Sequence, residues 1–135
     1  MNNYIWARSY WAFFHILSNS LNSNKLQNTK ILYGIRKLIY VLIANIPCHT
    51  CKEDSIEYLN NSNLNNITTK NDFVIFFFNF HNYVNRKLRK KPFLFHNIYI
   101  YSNQNIETHL NTINKYIFKN RMNHLIYKFS KFITT

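Results

Sequence analysis

Residues 31–51 read ILYGIRKLIYVLIANIPCHTC, and this stretch decides both the fold class and where a functional site is sought. Its apolar residues recur at intervals of three and four, which is the spacing of one buried face of an α-helix. Pro47 ends this pattern and suits the first turn of a following helix. The stretch therefore predicts two successive helices, with Cys48 and Cys51 at the start of the second. The apolar stripe consists of Ile31, Leu32, Ile35, Leu38, Ile39, Leu42, Ile43 and Ile46.

Helical patterns also cover most of the remaining chain. The 135 residues include one glycine and two prolines, so the residues on which tight β-hairpins and glycine-rich phosphate loops depend are scarce. We therefore predict an all-α protein with four helices, a basic stretch and a helical tail. The predicted elements are helices over residues 4–18, 31–46, 48–59 and 69–90, an element over 93–101 that fits helix or strand, and helical stripes over 106–117 and 122–132.

The chain is strongly basic, with 17 Lys and Arg residues against five Asp and Glu residues and a formal net charge of +12. Such an excess is compatible with a nucleic acid, an acidic membrane surface or an anionic cofactor. Five cations within residues 86–91 form either a solvated helix end or a phosphate clamp. One function that follows is a basic nucleic-acid-binding or virion structural protein, with aromatic side chains stacking on bases.

Two features of the sequence bear on its compartment. The N-terminal residues lack the basic and then apolar pattern of a secretory leader, and the apolar stretch at residues 31–46 is too short and too charged to span a membrane. We therefore expect an intracellular protein without a signal peptide, in a reducing compartment. There an isolated pair of cysteines is more often catalytic or metal-binding than structural.

The sharpest local signal is the pair Cys48 and Cys51, separated by two residues at a predicted helix start. The free N–H groups and the dipole at such a position stabilise a thiolate. We expect Cys48 to be the more exposed sulfur and Cys51 to point inward. A zinc site would need two of the six histidines, but neither a second Cys-x-x-Cys nor a suitably spaced histidine pair is present. Two reduced cysteines packed in the core are the other alternative.

Two further groups of residues are ambiguous when each is taken singly. Residues 6–15 place two tryptophans and a histidine at helical spacing, which is typical of core packing. Residues 81–90 read HNYVNRKLRK, in which His81 and Asn85 share one helix face. A polar face of this kind either turns to water or binds a polar ring system, because burial without partners is costly.

Taken together, three motifs in this order resemble the Erv/ALR family of FAD-linked sulfhydryl oxidases, in particular the compact versions that large DNA viruses carry. They span residues 6–91. The sequence departs from the family pattern at Ala7, where Gly is usual, and it lacks additional cysteines for a shuttle disulfide. No family motif is found after about residue 101. The motifs are Trp6, Trp11 and His15; Pro47-Cys48-His49-Thr50-Cys51; and His81-Asn82-Tyr83-Val84-Asn85-Arg86-Lys87-Leu88-Arg89-Lys90.

The resemblance implies a four-helix bundle that binds FAD, with a short fifth helix, and catalysis by Cys48 and Cys51. A substrate thiolate would attack Cys48, Cys51 would pass two electrons to the flavin, and O2 would be reduced to hydrogen peroxide. The implied partners are a thioredoxin-like or small Cys-x-x-x-Cys carrier protein and a second copy of the chain, with no nucleic acid and no metal required. The residues that the resemblance assigns to the cofactor are Arg8, Trp11, His15, His81, Asn82, Val84, Asn85, Lys87 and Lys90.

The chain divides on this basis into an oxidase domain, residues 1–102, and a basic amphipathic helical extension, residues 103–135. The two apolar stripes of the extension are expected to pack on the bundle or on a second subunit, since each buried Leu, Ile or Phe contributes about 1.5–3 kcal/mol. A membrane surface is the alternative. A chain truncated after Asn103 is expected to keep its FAD. The resemblance to viral proteins suggests the host cytoplasm or the virion. The side chains expected to face outward are Lys115, Lys119, Lys128 and Lys131.

Overall fold

The fold is known from a computed structural model that describes residues 5–135, and within this range the regular elements are helices, with no strand. The all-α architecture predicted from the sequence is confirmed. The predicted start of the first helix at Tyr4 lies outside the described residues. The α-helices are α1 (Ile5–Ser20), α2 (Ser23–Gln27), α3 (Thr29–Ala44), α4 (His49–Asn61), α5 (Lys70–Lys87), α6 (Ile106–Tyr116) and α7 (His124–Ile133), and 3-10 helices span Leu64–Asn66 and Phe95–Tyr101.

Helix α3 buries one face, as the spacing of its apolar residues predicts. Gly34 lies where α7 approaches α3, and a Cβ atom at this position would be 2.6 Å from the Phe129 ring. The single glycine of the chain therefore allows a close contact between the two helices. The buried residues of α3 are Ile35, Leu38, Ile39, Leu42 and Ile43.

Side-chain caps explain where several helices begin. The Asn28 side chain accepts hydrogen bonds from the first backbone N–H groups of α3, and Thr69 accepts one from the N–H of Asp72 at the start of α5. Asn22 caps α2 in the same way, so a short helix forms between the helices predicted over residues 4–18 and 31–46. Helix α5 ends at Lys87, three residues before its predicted end, because the backbone turns into the left-handed region at Arg89 with φ 57°.

Phenylalanine side chains from α1 and α5 form the centre of the bundle. The rings of Phe14 and Phe77 stack with centroids 4.6 Å apart and planes 17° from parallel. Because these aromatic side chains lie in the core, they are not available to stack on nucleic-acid bases. The fully buried members of the cluster are Phe13, Phe14, Phe73, Phe77 and Phe80.

The C-terminal helices pack on the bundle, which confirms one of the two arrangements expected for them. Helix α6 lies along α1, and its buried residues join the main core. Helix α7 is held at its end by Lys25 Nζ, which donates to the Ile133 carbonyl at 3.1 Å. Lys131 is half-buried and pairs with Glu107 at 3.1 Å, instead of facing water alone. The other three lysines expected to face outward, Lys115, Lys119 and Lys128, are exposed.

Among residues 5–135, no helix has the length and apolar character needed to cross a membrane.

Candidate active site

The two cysteines form a disulfide at the start of α4. Cys48 is the N-cap residue of this helix, and the N–H of Cys51 lies 3.2 Å from the Cys48 sulfur. The two Cα atoms are 5.3 Å apart and the sulfurs are bonded. The predicted position of the pair at a helix N-terminus is confirmed, and the helix dipole there favours negative charge on sulfur.

The expected difference in exposure between the two cysteines was wrong. Cys48 is 6% exposed and belongs to the hydrophobic core, whereas Cys51 is half-buried. The cause is the capping geometry, which turns the Cys48 sulfur back over the first turn of α4. Cys51 instead opens into a small cavity of about 110 Å³, where Val84 and Lys87 of α5 form the facing wall.

A pair of buried histidines joins α1 to α5. His15 Nε2 and His81 Nδ1 lie 3.0 Å apart. Burial lowers the pKa of His15 to about 4. Burial and the positive charges of His15 and Lys90 lower the pKa of His81 to about 3. Both imidazoles are therefore neutral at pH 7, and one donates its proton to the other. The His81 ring also stacks on Trp11, with centroids 4.1 Å apart, and on Phe93 at 4.4 Å.

The hydrogen-bond network indicates which nitrogen of each imidazole carries the proton. His15 Nδ1 is buried and has no hydrogen-bond partner. Buried N–H groups without a partner are rarer than buried acceptors without one, so we assign the His15 proton to Nε2. His15 then donates to His81 Nδ1, and His81 carries its own proton on Nε2.

A cavity of about 940 Å³ lies between α1, α5 and α6. Its size falls within the ordinary range of ligand and cofactor sites, about 300–1,000 Å³. The wall combines cations with aromatic and amide groups, a lining that suits a flat polar ligand with anionic groups. Five of the residues assigned to the cofactor from the sequence line this cavity: Arg8, Trp11, His81, Asn85 and Lys90.

The other four assigned residues lie elsewhere. Val84 and Lys87 line the small cavity beside Cys51, on a face of α5 next to that of His81. His15 lies behind His81 and is 1% exposed. Asn82 binds the main chain of Phe93 twice: its Nδ2 donates to the carbonyl at 2.9 Å, and its Oδ1 accepts from the N–H at 2.7 Å.

The amide side chains of α5 thus hold the basic segment that follows this helix. Besides the two bonds of Asn82, Asn85 Nδ2 donates to the Lys91 carbonyl at 3.3 Å. These bonds fix the path of residues 89–93 over the end of α5. They keep Lys90 and Lys91 at the edge of the large cavity, where both residues contribute to its wall.

Of the six cavity residues that were not assigned to the cofactor from the sequence, two follow the motifs along the chain, Tyr101 and Thr112. The other four are Ile5, Ala7, Ser9 and Lys91. The Tyr101 ring stacks on His15 with centroids 5.0 Å apart, and Thr112 reaches the cavity because α6 packs on α1. A hydrogen bond of 3.0 Å between His109 Nδ1 and Ser9 Oγ holds these two helices together. Neither Tyr101 nor Thr112 belongs to a motif, and only the amphipathic stripe of α6 indicated that this helix would pack on the rest of the protein.

Within residues 5–135, no three His, Cys, Asp or Glu side chains come close enough together to hold a metal ion. The two cysteines are joined to each other, so the interpretation that they are reduced residues packed in the core is wrong.

Known proteins match about two thirds of the chain. A putative FAD-linked sulfhydryl oxidase, 096R of Invertebrate iridescent virus 3, is 27% identical over 88 residues, which cover 64% of this chain and 57% of that relative. An FAD-linked sulfhydryl oxidase of African swine fever virus (isolate Pig/Kenya/KEN-50/1950) is 29% identical over 86 residues, covering 64% and 70%. The putative FAD-linked sulfhydryl oxidase 347L of Invertebrate iridescent virus 6 is 27% identical over 94 residues, covering 64% and 82%.

No solved structure matches the chain at a significant level. The sequence profile of the Erv1 / Alr family matches residues 8–104, which include both cysteines and eight of the eleven residues that form the wall of the large cavity. The resemblance read from the three motifs is thereby confirmed: the chain belongs to the Erv1/Alr family.

Proposed function

We propose that this protein is an FAD-linked sulfhydryl oxidase that forms disulfides in protein substrates. The observation that carries the proposal is the disulfide between Cys48 and Cys51, which opens at Cys51 toward α5. The next face of the same helix lines a cavity of cofactor size. Family membership and the names of the viral relatives support the same activity.

The residues present fit FAD. Arg8, Lys90 and Lys91 supply positive charge for a pyrophosphate, and Trp11 supplies a flat surface for stacking. His81 is neutral and offers an N–H to a ring acceptor. The chemistry that FAD supplies, when bound, is acceptance of an electron pair from the reduced cysteine pair and its transfer to O2, which yields hydrogen peroxide.

The chain's own cysteines carry out thiol–disulfide exchange. A substrate thiolate attacks Cys48 Sγ, a new S–S bond forms, and the bond between Cys48 and Cys51 breaks with Cys51 leaving as a thiolate. The second substrate thiol, as its thiolate, then attacks the mixed disulfide and releases Cys48. The substrate is oxidised by two electrons, and both cysteines are reduced and ready to be reoxidised.

The two sulfurs have different roles in this proposal. Cys51 is the sulfur beside the cofactor, because it opens toward Val84 and Lys87 of the cofactor-binding helix. The Lys87 ammonium and the N-terminus of α4 stabilise its thiolate. Cys48 is the attacked sulfur. Its burial implies that attack requires movement of the connection between α3 and α4, which contains Ile46 and Pro47.

The partners are proposed from the same chemistry. With no further cysteine in the chain to act as a shuttle, the donor is a protein dithiol that reaches Cys48 directly, such as a thioredoxin-like or small Cys-x-x-x-Cys carrier. Two exposed aromatic residues of α3, Tyr33 and Tyr40, support a homodimer that covers this face. The viral origin of the relatives supports action in the host cytoplasm or in the virion.

The experiment that tests the function is purification of the full chain with FAD, followed by measurement of oxygen consumption with dithiothreitol. We expect a yellow protein that consumes O2 and produces hydrogen peroxide in equal amounts. A colourless protein that binds DNA in a salt-dependent way would overturn the proposal in favour of the nucleic-acid-binding function.

A further inference from the structure

A groove of about 530 Å³ lies between the start of α4 and the segment that joins α6 to α7. One wall is the connection from α3 to α4, which ends in Ile46 and Pro47. The other wall is the segment that joins α6 to α7, which contributes Phe118, Lys119 and Arg121. We call this site the basic groove. In this groove the C-terminal extension lies opposite Pro47, the residue that precedes Cys48.

The lining of the groove carries positive charge and no negative charge. Lys52, Lys119 and Arg121 line it, and none of the five acidic residues of the chain does, all of which lie among the described residues. Three of these acids pair elsewhere. Glu53 lies 3.1 Å from His49, Asp54 lies 4.0 Å from Lys87, and Glu107 lies 3.1 Å from Lys131.

The cations of the extension sit on a turn of fixed shape. Lys119 and Asn120 both have left-handed backbone angles, φ 52° and 64°, which are unfavourable for a lysine. Backbone hydrogen bonds hold the turn: the Asn120 N–H donates to the Asn114 carbonyl at 2.8 Å, and the Arg121 N–H donates to the Phe118 carbonyl at 2.9 Å. The backbone that carries these two cations therefore has a defined shape.

The groove also has a direct connection to the reactive cysteine. Pro47 precedes Cys48, and the N–H of Lys52 donates to the Cys48 carbonyl at 2.9 Å. A chain lying in the groove therefore runs alongside the first turn of α4. An occupant of the groove lies beside Pro47, the residue before Cys48, and beside Lys52 of the same helical turn, and this position suits a protein substrate.

We propose that the basic groove binds an acidic segment of the substrate protein next to its dithiol, and that the C-terminal extension thereby selects the substrate. This inference rests on the proposed oxidase function. The partly exposed side chain of Phe118 contacts the substrate backbone, and the cations pair with Asp or Glu side chains near the cysteines. Complementary charges of this kind act mainly on association rate and specificity.

The test compares two synthetic dithiol peptides with the same Cys-x-x-x-Cys core, one flanked by Glu residues and one by Gln residues. Oxygen consumption gives kcat/KM for each peptide, and the ratio of the two values measures the preference. We expect the full protein to prefer the acidic peptide by about tenfold at low salt, with the preference shrinking as salt screens the charges. The variant Lys119→Glu with Arg121→Glu is expected to abolish or invert this preference.

The matched control changes two exposed lysines outside the groove, Lys115→Glu with Lys128→Glu, which alters the net charge equally. This control is expected to keep most of the preference. Equal rates for both peptides in the unchanged protein, or equal effects of the two double variants, would overturn the inference. If the charge reversal unfolds the chain, Lys119→Gln with Arg121→Gln replaces it. Failure of the oxidase proposal itself looks different, since the unchanged protein would then oxidise neither peptide nor dithiothreitol.

Discussion

His15 Nε2 lies 3.0 Å from His81 Nδ1, and this contact joins the two helices that carry most of the residues we propose to bind FAD. The pair is neutral because burial lowers the pKa of His15 to about 4 and that of His81 to about 3. In a neutral pair each ring has one N–H group. His15 donates its N–H to His81, so the N–H of His81 remains available to a ligand in the cavity. Protonation of either ring would place a charge in the core beside Lys90.

The first prediction is a loss of stability as the pH falls from about 6.5 to about 4. Above the ordinary histidine pKa of 6.5 both rings are neutral in the folded and unfolded chains. Below it the unfolded chain binds protons that the folded chain excludes, so acid favours unfolding until the folded pKa is reached. Each histidine adds a slope of up to about 1.4 kcal/mol per pH unit to the free energy of unfolding. Urea unfolding at a series of pH values measures this slope.

Two single variants separate this pair from the rest of the acid response. His15→Asn is expected to reduce the slope of the free energy of unfolding between pH 6.5 and 4, because only one buried histidine then resists protonation in the folded chain. His124→Asn, which changes an exposed residue of α7, is expected to leave the slope as it was. Equal slopes in the two variants would show that the buried pair does not control the pH response.

The second prediction concerns the cysteines. Cys48→Ser and Cys51→Ser are each expected to abolish oxidation of dithiothreitol while FAD stays bound, because exchange needs both sulfurs and the large cavity is lined by other residues. Cys48→Ser leaves Cys51 as a lone thiolate on the cofactor side, so we expect a long-wavelength charge-transfer band in this variant alone. Absorbance spectra and oxygen consumption measure the two effects.

The control for the cysteine variants is Glu57→Gln, an exposed change on the same helix, which is expected to keep full turnover. Residual turnover in both serine variants would contradict the exchange mechanism. A charge-transfer band that appears only in Cys51→Ser would reverse the roles of the two sulfurs. This outcome matters because Cys48, the sulfur proposed to be attacked, is buried.

The third prediction is that Arg8→Gln weakens FAD binding. Arg8 lines the large cavity, and a hydrogen bond to a charged group contributes about 1.5–3 kcal/mol, so the Kd is expected to rise by about tenfold or more. Titration of FAD fluorescence measures the Kd at low and high salt. Lys115→Gln removes an exposed cation of α6 and is expected to leave the Kd unchanged. Similar shifts in both variants would mean that net charge, and not the position of Arg8, governs binding.

Much of the fold could be predicted because local patterns dominate it. The apolar spacing of α3 and the break at Pro47 are readable from neighbouring residues, and α3 and α4 begin and end within two residues of the predicted positions. The ends of helices depended on less visible features. Helix α5 stops at Lys87 through a left-handed Arg89, and α2 forms because Asn22 caps it, and neither residue type demands this in sequence alone.

The site could be predicted only as far as its motifs reach. Arg8, Trp11 and Asn85 were assigned from the resemblance, and they do share one cavity. The relative burial of the cysteines was wrong because a capping interaction, and not the order along the chain, determines which sulfur turns inward. Thr112 was missed because the contact between α1 and α6 joins segments about a hundred residues apart.

The fourth prediction concerns a chain that ends at Asn103. This chain lacks Leu110, Ile113 and Ile117, so the face of α1 that α6 covers becomes exposed. Each of these residues contributes about 1.5–3 kcal/mol when buried, a total comparable with the stability of a small domain. The sequence alone predicted that this chain keeps its FAD. The position of Thr112 in the cavity wall favours a lower flavin content together with a much lower melting temperature.

A second truncation separates the two C-terminal helices. A chain that ends at Asn123 lacks α7 but keeps α6, and we expect it to retain more flavin than the shorter chain. The ratio of flavin to protein absorbance after gel filtration measures retention, and thermal unfolding measures stability. Full flavin content in a folded chain ending at Asn103 would show that α6 is dispensable for the cofactor site.

The last prediction tests the contact between α3 and α7. Gly34→Ala is ordinarily stabilising in a helix interior by up to about 1 kcal/mol. Here the new Cβ would lie 2.6 Å from the Phe129 ring, so the ring must shift and the variant is expected to be less stable than the unchanged protein. In a Phe129→Leu background the clash is relieved, and the same Gly34→Ala change is expected to become neutral or stabilising. Urea unfolding of the four proteins measures this coupling, and a Gly34→Ala effect that is the same in both backgrounds would show that α7 does not pack on α3 at this glycine.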